Sequence, residues 1–272
     1  MSRINKIAEQ AALANRKLLI PYLVAGDPNL ETTSTLMHKL VGQGADIIEL
    51  GIPFSDPSSD GPIIQRGVER ALAKGTTVKQ VLGLVAEFRK TDTDTGIVLM
   101  GYLNPIEIMG YKAFAEAASA AGVDGVLTVD LPPMEADELN AMMRAVKVDT
   151  IFLVAPTTRE ERVASIIEHC SGYLYYVSLK GVTGAALTDF GSVTANINKL
   201  RERTQLPIVI GFGIKDAQSA AAMGKLADGV IIGSALVEKI ALLADQVEHE
   251  SELLSDTIRV ISEAREALDK LV

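Results

Sequence analysis

Eight short apolar, β-branched stretches recur along the chain, and no other feature of the sequence narrows the fold as much. They are "LLIPYLVAG" (18–26), "ADIIELGI" (45–52), "GIVLMGY" (96–102), "GVLTVDL" (125–131), "TIFLVA" (150–155), "YLYYVSL" (173–179), "PIVIGFGI" (207–214) and "GVIIGSA" (229–235). Between them, "NLETTSTLMHKLVGQG", "YKAFAEAASAAG", "PMEADELNAMMRAV" and "TREERVASIIEH" space their apolar residues as amphipathic helices do. Near-continuous apolar strands separated by such helices imply a parallel sheet with helix-covered faces. Eight units predict closure, so the expected fold is α/β, a (β/α)8 TIM barrel forming one domain over residues 1–272. An open doubly wound sheet competes, but no strand is followed by a GxGxxG or GxxxxGK[ST] fingerprint. Three additions are expected: an N-terminal helix able to plug the lower end, two helices between strands 2 and 3, and a long helix in "DQVEHESELLSDTIRVISEAREALDKL".

Composition then removes several classes of function. With 48% hydrophobic and 22% charged residues the chain has a globular balance. A net charge of −9 argues against nucleic acid or an anionic membrane as the main partner. No apolar run approaches the roughly 18 residues that span a bilayer, and "MSRINKIAEQAALANRK" lacks the apolar core of a signal peptide. The single cysteine, Cys170, allows no internal disulfide, which fits a reducing cytoplasm. It ends a helix and reads as a buried spectator thiol. His38, His169 and His249 lie in helix-like stretches, none at metal-ligand spacing, so no metal site is expected.

In this fold the site sits in the loops after the C-terminal ends of the strands. After strands 6, 7 and 8 these are "SLKGVTGA", "GFGIKD" and "GSALVEK". Glycine lets backbone amides approach an anion, and a helix N-terminus adds partial positive charge. Gly184, Gly213, Gly233 and Ser234 are therefore read as amide donors to a phosphate, with "SALVEKIALL" as the short phosphate-binding helix after strand 8. Tight turns alone would explain any one of these glycines. Lys180 and Lys215 are expected to face solvent.

Strand alternation places Glu49 on the same face as Ile47, near the upper rim if that face is the interior. A glutamate there has its pKa raised unless paired, which suits a general acid/base near neutral pH. Asp60 lies on a loop able to fold back over the same mouth, although an isolated aspartate before "GP" is more often a helix cap. Asp56, in "SDP", reads as a turn former or loop tie, and Asp27 and Asp130 as hydrogen-bond partners of turns. Tyr173 and Tyr175 share one strand face and Tyr176 the other. With Tyr22, Met100, Tyr102, Leu127, Val129, Leu153 and Phe212 also near strand ends, an apolar pocket beside a phosphate cradle follows.

"PYLVAGDP", "IIELGIPFSDPSSDGPIIQ", "LMGYLNP", "GVDGVLTVDLPP", "YYVSLKGVTGA", "GFGI" and "GVIIGSALV" together resemble the α subunit of tryptophan synthase, in order from about residue 18 to 240. The resemblance implies retro-aldol cleavage of indole-3-glycerol phosphate to indole and glyceraldehyde 3-phosphate. It implies Glu49 as the proton-transfer acid and base, Asp60 as the partner of the indole N–H, and Tyr175 as a tyrosine that helps place Glu49. Asp56 and Thr183 are implied as a lid contact, and Gly184, Gly213, Gly233 and Ser234 as the phosphate site. The resemblance implies no cofactor in this subunit. The implied partner is a β subunit carrying pyridoxal phosphate, in an αββα tetramer, met through loop residues such as Pro53, Asn104 and Pro132. Ser58 and Ser59 depart from the larger apolar residue and alanine of many members, and Leu179 and Lys180 from the arginine of some. These departures bear on lid packing and subunit coupling rather than on the acid/base pair.

Overall fold

All eight apolar stretches form strands: β1 (Leu18–Val24), β2 (Ile47–Gly51), β3 (Gly96–Gly101), β4 (Gly125–Thr128), β5 (Asp149–Val154), β6 (Leu174–Val177), β7 (Ile208–Gly211) and β8 (Gly229–Ile232). Each pairs in parallel with the next, and β8 pairs with β1 to close the barrel. The computed structural model describes residues 2–178, 190–211, 213–245 and 250–271. Period-2 alternation splits the strand side chains into two layers. Leu18, Ile20, Ile47, Val98, Ile151 and Val209 fill the interior, while Leu19, Ile48, Leu50, Ile97 and Ile210 face the surrounding helices.

The helices are α1 (Arg3–Leu13), α2 (Leu30–Gly42), α3 (Pro62–Ala73), α4 (Val78–Phe88), α5 (Leu103–Met109) and α6 (Tyr111–Ala121). They continue with α7 (Asp137–Ala145), α8 (Glu160–His169), α9 (Phe190–Arg201), α10 (Ala217–Gly224), α11 (Ser234–Asp245) and α12 (Glu250–Asp269). None of them is long and apolar enough, over the described residues, to cross a membrane.

The helix α1 closes the lower end as expected. Its Ile4, fully buried, joins the interior layer with Leu18, Ile47 and Ile151. Ser2 donates to Asp149, and Arg3 reaches Asp124 at 2.8 Å, so two acids at the lower ends of β4 and β5 hold the plug. At the other terminus α12 packs on α10 and α11, and the Arg265 guanidinium donates to the Lys17 carbonyl at 2.8 Å.

Two details differ from the sequence reading. Several strands end one to three residues early; "VDL" after β4 is a turn in which Asp130 accepts the Leu103 N–H at 2.8 Å. The stretch after β3, expected as loop, contains α5. Pro105 falls in its first turn, where the missing N–H has no intrahelical partner to lose. Of the long helix expected from Asp245 on, α12 forms Glu250–Asp269 and Asp245 ends α11, while residues 246–249 lie outside the described residues. Cys170 caps α8, buried, with its thiol pushed up to about 12 by that burial.

Candidate active site

A cavity of about 630 Å³ opens at the C-terminal ends of the strands. Its described walls come from β1 (Tyr22), β2 (Glu49), β3 (Met100), β6 (Tyr175) and the starts of α3 and α11. Glu49 forms part of the floor. In the β1–β2 register it stands beside Tyr22, and in the β2–β3 register beside Val98. It has no solvent exposure. The Tyr173 hydroxyl donates to its Oε1, while Oε2 is buried without a hydrogen-bond partner among the described residues. Burial dominates its ionisation and, against the Tyr173 hydrogen bond, pushes the carboxyl up to about 7.

Asp60 lines the cavity from the loop just before α3. The cap of that helix is Gly61, so Asp60 is not spent as an N-cap. Its Oδ2 accepts the Tyr102 hydroxyl at 2.9 Å, and that hydroxyl in turn accepts the Ser59 N–H at 2.9 Å. Tyr102 also packs on Phe54, with ring centroids 5.4 Å apart. Burial raises the Asp60 carboxyl too, opposed by the bond from Tyr102. Tyr22, Tyr173 and Tyr175 are all held well above the ordinary phenol value, first by burial and then by the nearby acids, and so remain neutral donors.

Both cavity-lining tyrosines lie over glycine. A Cβ on Gly51 would come within 2.3 Å of the Tyr22 hydroxyl, and one on Gly211 within 2.0 Å of the Tyr175 hydroxyl. Side chains at these two strand ends would displace the rings from the mouth. On the opposite side, Gly213, Gly233 and Ser234 line the cavity, and Ser234 is the first residue of α11. A helix start facing a cavity beside glycine turns can donate free N–H groups to an anion. Lys215, expected in solvent, is exposed but also lines this end.

The remaining sequence-derived positions fall as follows. Leu127 is fully buried in the barrel interior, and Val129 and Leu153 pack against that layer; none of the three reaches the cavity wall. Tyr102 meets Asp60 rather than lining the pocket. The hydroxyl on Glu49 belongs to Tyr173, not to Tyr175, whose ring forms wall instead. Strand alternation puts both tyrosines on the inner face; which one reaches β2 depends on how far up the tilted strand each sits. Asp56 is exposed, accepts Ser55 Oγ at 2.6 Å, and its carbonyl accepts the Ser58 N–H at 2.8 Å. Thr183, Gly184 and Phe212 lie outside the described residues. Of the loop positions named for a partner, Pro53 is buried, Pro132 half-buried and Asn104 exposed at the start of α5. Asp27, expected to tie a turn, is instead buried in an ion pair with Arg70.

Comparison with known proteins places this geometry. The family described as tryptophan synthase alpha chain matches residues 8–266. A tryptophan synthase alpha chain from Marinobacter nauticus is 55% identical over 271 residues, covering 100% of this chain and 99% of the relative. One from Acinetobacter baumannii is 48% identical, with both chains covered in full. The crystal structure of tryptophan synthase subunit alpha from Legionella pneumophila superposes with a TM-score of 0.90 at 44% identity, over 99% of each chain. A chain of tryptophan synthase from M. tuberculosis, in its aminoacrylate-bound form, superposes with a TM-score of 0.86 at 32% identity, over 98% of this chain and 100% of that one.

Proposed function

Since the chain belongs to the tryptophan synthase alpha chain family and cleaves indole-3-glycerol phosphate as the α subunit in tryptophan biosynthesis, we propose that Glu49 and Asp60 divide the chemistry of that cleavage. The observation that carries this division is the Glu49 carboxyl on the cavity floor, raised to about 7 with one oxygen unpartnered among the described residues. Cleavage requires a proton on C3 of the indole ring, so that the bond to the glycerol chain breaks with its electrons returning to the ring. The adjacent glycerol hydroxyl then loses its proton as it becomes the aldehyde. A carboxyl poised near 7 gives the first proton and takes the second, ending in its starting form. Tyr173 holds Oε1, which leaves Oε2 as the transferring oxygen.

Asp60 accepts the indole N–H and stabilises the positive charge that ring protonation creates. The Tyr102 hydroxyl favours its charged form. Gly233 and Ser234 at the start of α11, Gly213 after β7, and Gly184 hold the phosphate through backbone amides, and Tyr22, Met100 and Tyr175 enclose the indole. The whole chain acts as one barrel domain. It works without a cofactor of its own, in the cytoplasm, in an αββα assembly whose β subunit carries pyridoxal phosphate. An indole-release assay on indole-3-glycerol phosphate, with and without a β subunit, tests the reading. The unmodified chain should release indole, and Glu49→Gln should release at least about a thousandfold less while inorganic phosphate binding survives. Substantial turnover by Glu49→Gln would remove Glu49 from its role.

A further inference from the structure

The cavity is walled at one end by the start of α3, next to Asp60, and at the other by the start of α11, at Ser234. Farther down, these helices meet each other and the end of β1. Their meeting point is Gly67, in the middle of α3, where glycine costs about 1 kcal/mol against alanine and so calls for a packing reason. A Cβ there would stand 2.9 Å from Asp27 Oδ2, 3.0 Å from Val237 of α11 and 3.3 Å from Val24 of β1. The nearest of these atoms is not free to swing away. Asp27 is 1% exposed, and both its oxygens are held by Arg70 of α3, at 2.7 Å from Nε and 2.8 Å from Nη2. A bidentate fork of this kind fixes position and angle together.

We propose that Gly67 and the buried Asp27–Arg70 pair form a brace that sets the distance between the Asp60 end and the Ser234 end of the cavity, and thereby selects the length of ligand joining an indole to a phosphate. They are positioning residues: none touches the cavity, and each acts through the helix that carries a wall of it. Val237 lies about one turn past Ser234, so a shift forced at Gly67 is passed to the phosphate end with little bending between. The inference rests on the two-ended site assigned above.

A general loss of structure would weaken every ligand alike, whereas a wrong spacing weakens only a ligand that must reach both ends. Joining two fragments raises affinity through an effective concentration that depends on geometry and is lost when the ends no longer match. Indole, inorganic phosphate and intact indole-3-glycerol phosphate are therefore titrated into Glu49→Gln and into Glu49→Gln/Gly67→Ala, where slow turnover allows binding to be read. The expected result is that the two fragments keep their Kd within about twofold, while the intact substrate binds at least about tenfold more weakly to the double variant. Unchanged binding of the intact substrate, or equal weakening of all three ligands, overturns the brace. Should Gly67→Ala fail to fold by circular dichroism, Arg70→Lys is read in the same way, since it keeps the charge but loses the fork. Absence of indole release by the unmodified chain overturns the underlying reading; release with unchanged substrate binding overturns the brace alone.

Discussion

Glu49 owes its reactivity to a balance that single side chains control. Burial favours the neutral acid, and the Tyr173 hydroxyl, which donates to the charged form, pulls the other way. Removing that donor in Tyr173→Phe should raise the Glu49 pKa above about 7. Activity that needs the protonated acid is lost as pH rises through this pKa, so the alkaline limb of the kcat profile should move to higher pH in Tyr173→Phe. An unmoved limb would detach Tyr173 from the proton transfer. The same shift bears on stability. The folded pKa lies above the ordinary value of 4.5, so Glu49's contribution to stability is fully present below that value and is lost as pH rises to about 7. Above that range the buried charge costs on the order of 3 kcal/mol. Glu49→Gln should therefore gain Tm over the unmodified chain at pH 8 and gain much less at pH 5, measured by thermal melting in matched salt.

At the scale of elements, the loop between β2 and α3 delivers Asp60, and the end of β3 determines where it stops. Tyr102 spans the two with one hydroxyl, accepting from Ser59 and donating to Asp60. A hydrogen bond to a charged group is worth about 1.5–3 kcal/mol, so Tyr102→Phe should lower kcat/KM roughly tenfold to a hundredfold and take a few degrees off the melting temperature while the chain stays folded. Steady-state kinetics with a melting control check this; full activity would mean that the loop stops there for another reason. Tyr102 stands one residue past β3, next to a helix hidden in "LNPIEIM", because Pro105 reads as a breaker when it is only a first-turn residue.

For the whole molecule, the barrel keeps its chemistry and its foundations at opposite ends. The upper end is given over to the cavity, while the lower is sealed by α1. Ile4→Ala removes a fully buried side chain from the interior layer and should cost about 2–5 kcal/mol of unfolding free energy in a urea titration. kcat per folded molecule should hold, because the cavity wall contains no residue of α1.

The amino-acid order by itself determined the repeating unit, hence the closed barrel, and which residues of β2 share a face. Ile47 and Glu49 must share a side, and eight apolar strands leave no edge only if they close. The glycine and helix-start pattern after strands 7 and 8 likewise marked one end of the cavity, at Gly213, Gly233 and Ser234. Only the tertiary structure decided which hydroxyl meets which acid. Tyr173 and Tyr175 are equivalent by alternation, yet strand tilt and stagger bring only Tyr173 to Glu49. Asp27 and Arg70 are far apart along the chain, on separate elements, and nothing local in either stretch tells that they meet. Alternation is a property of neighbours along a strand and survives any packing. A hydrogen bond across the barrel, or a brace between two helices, depends on how closed strands and packed helices stand relative to one another, which no local spacing encodes.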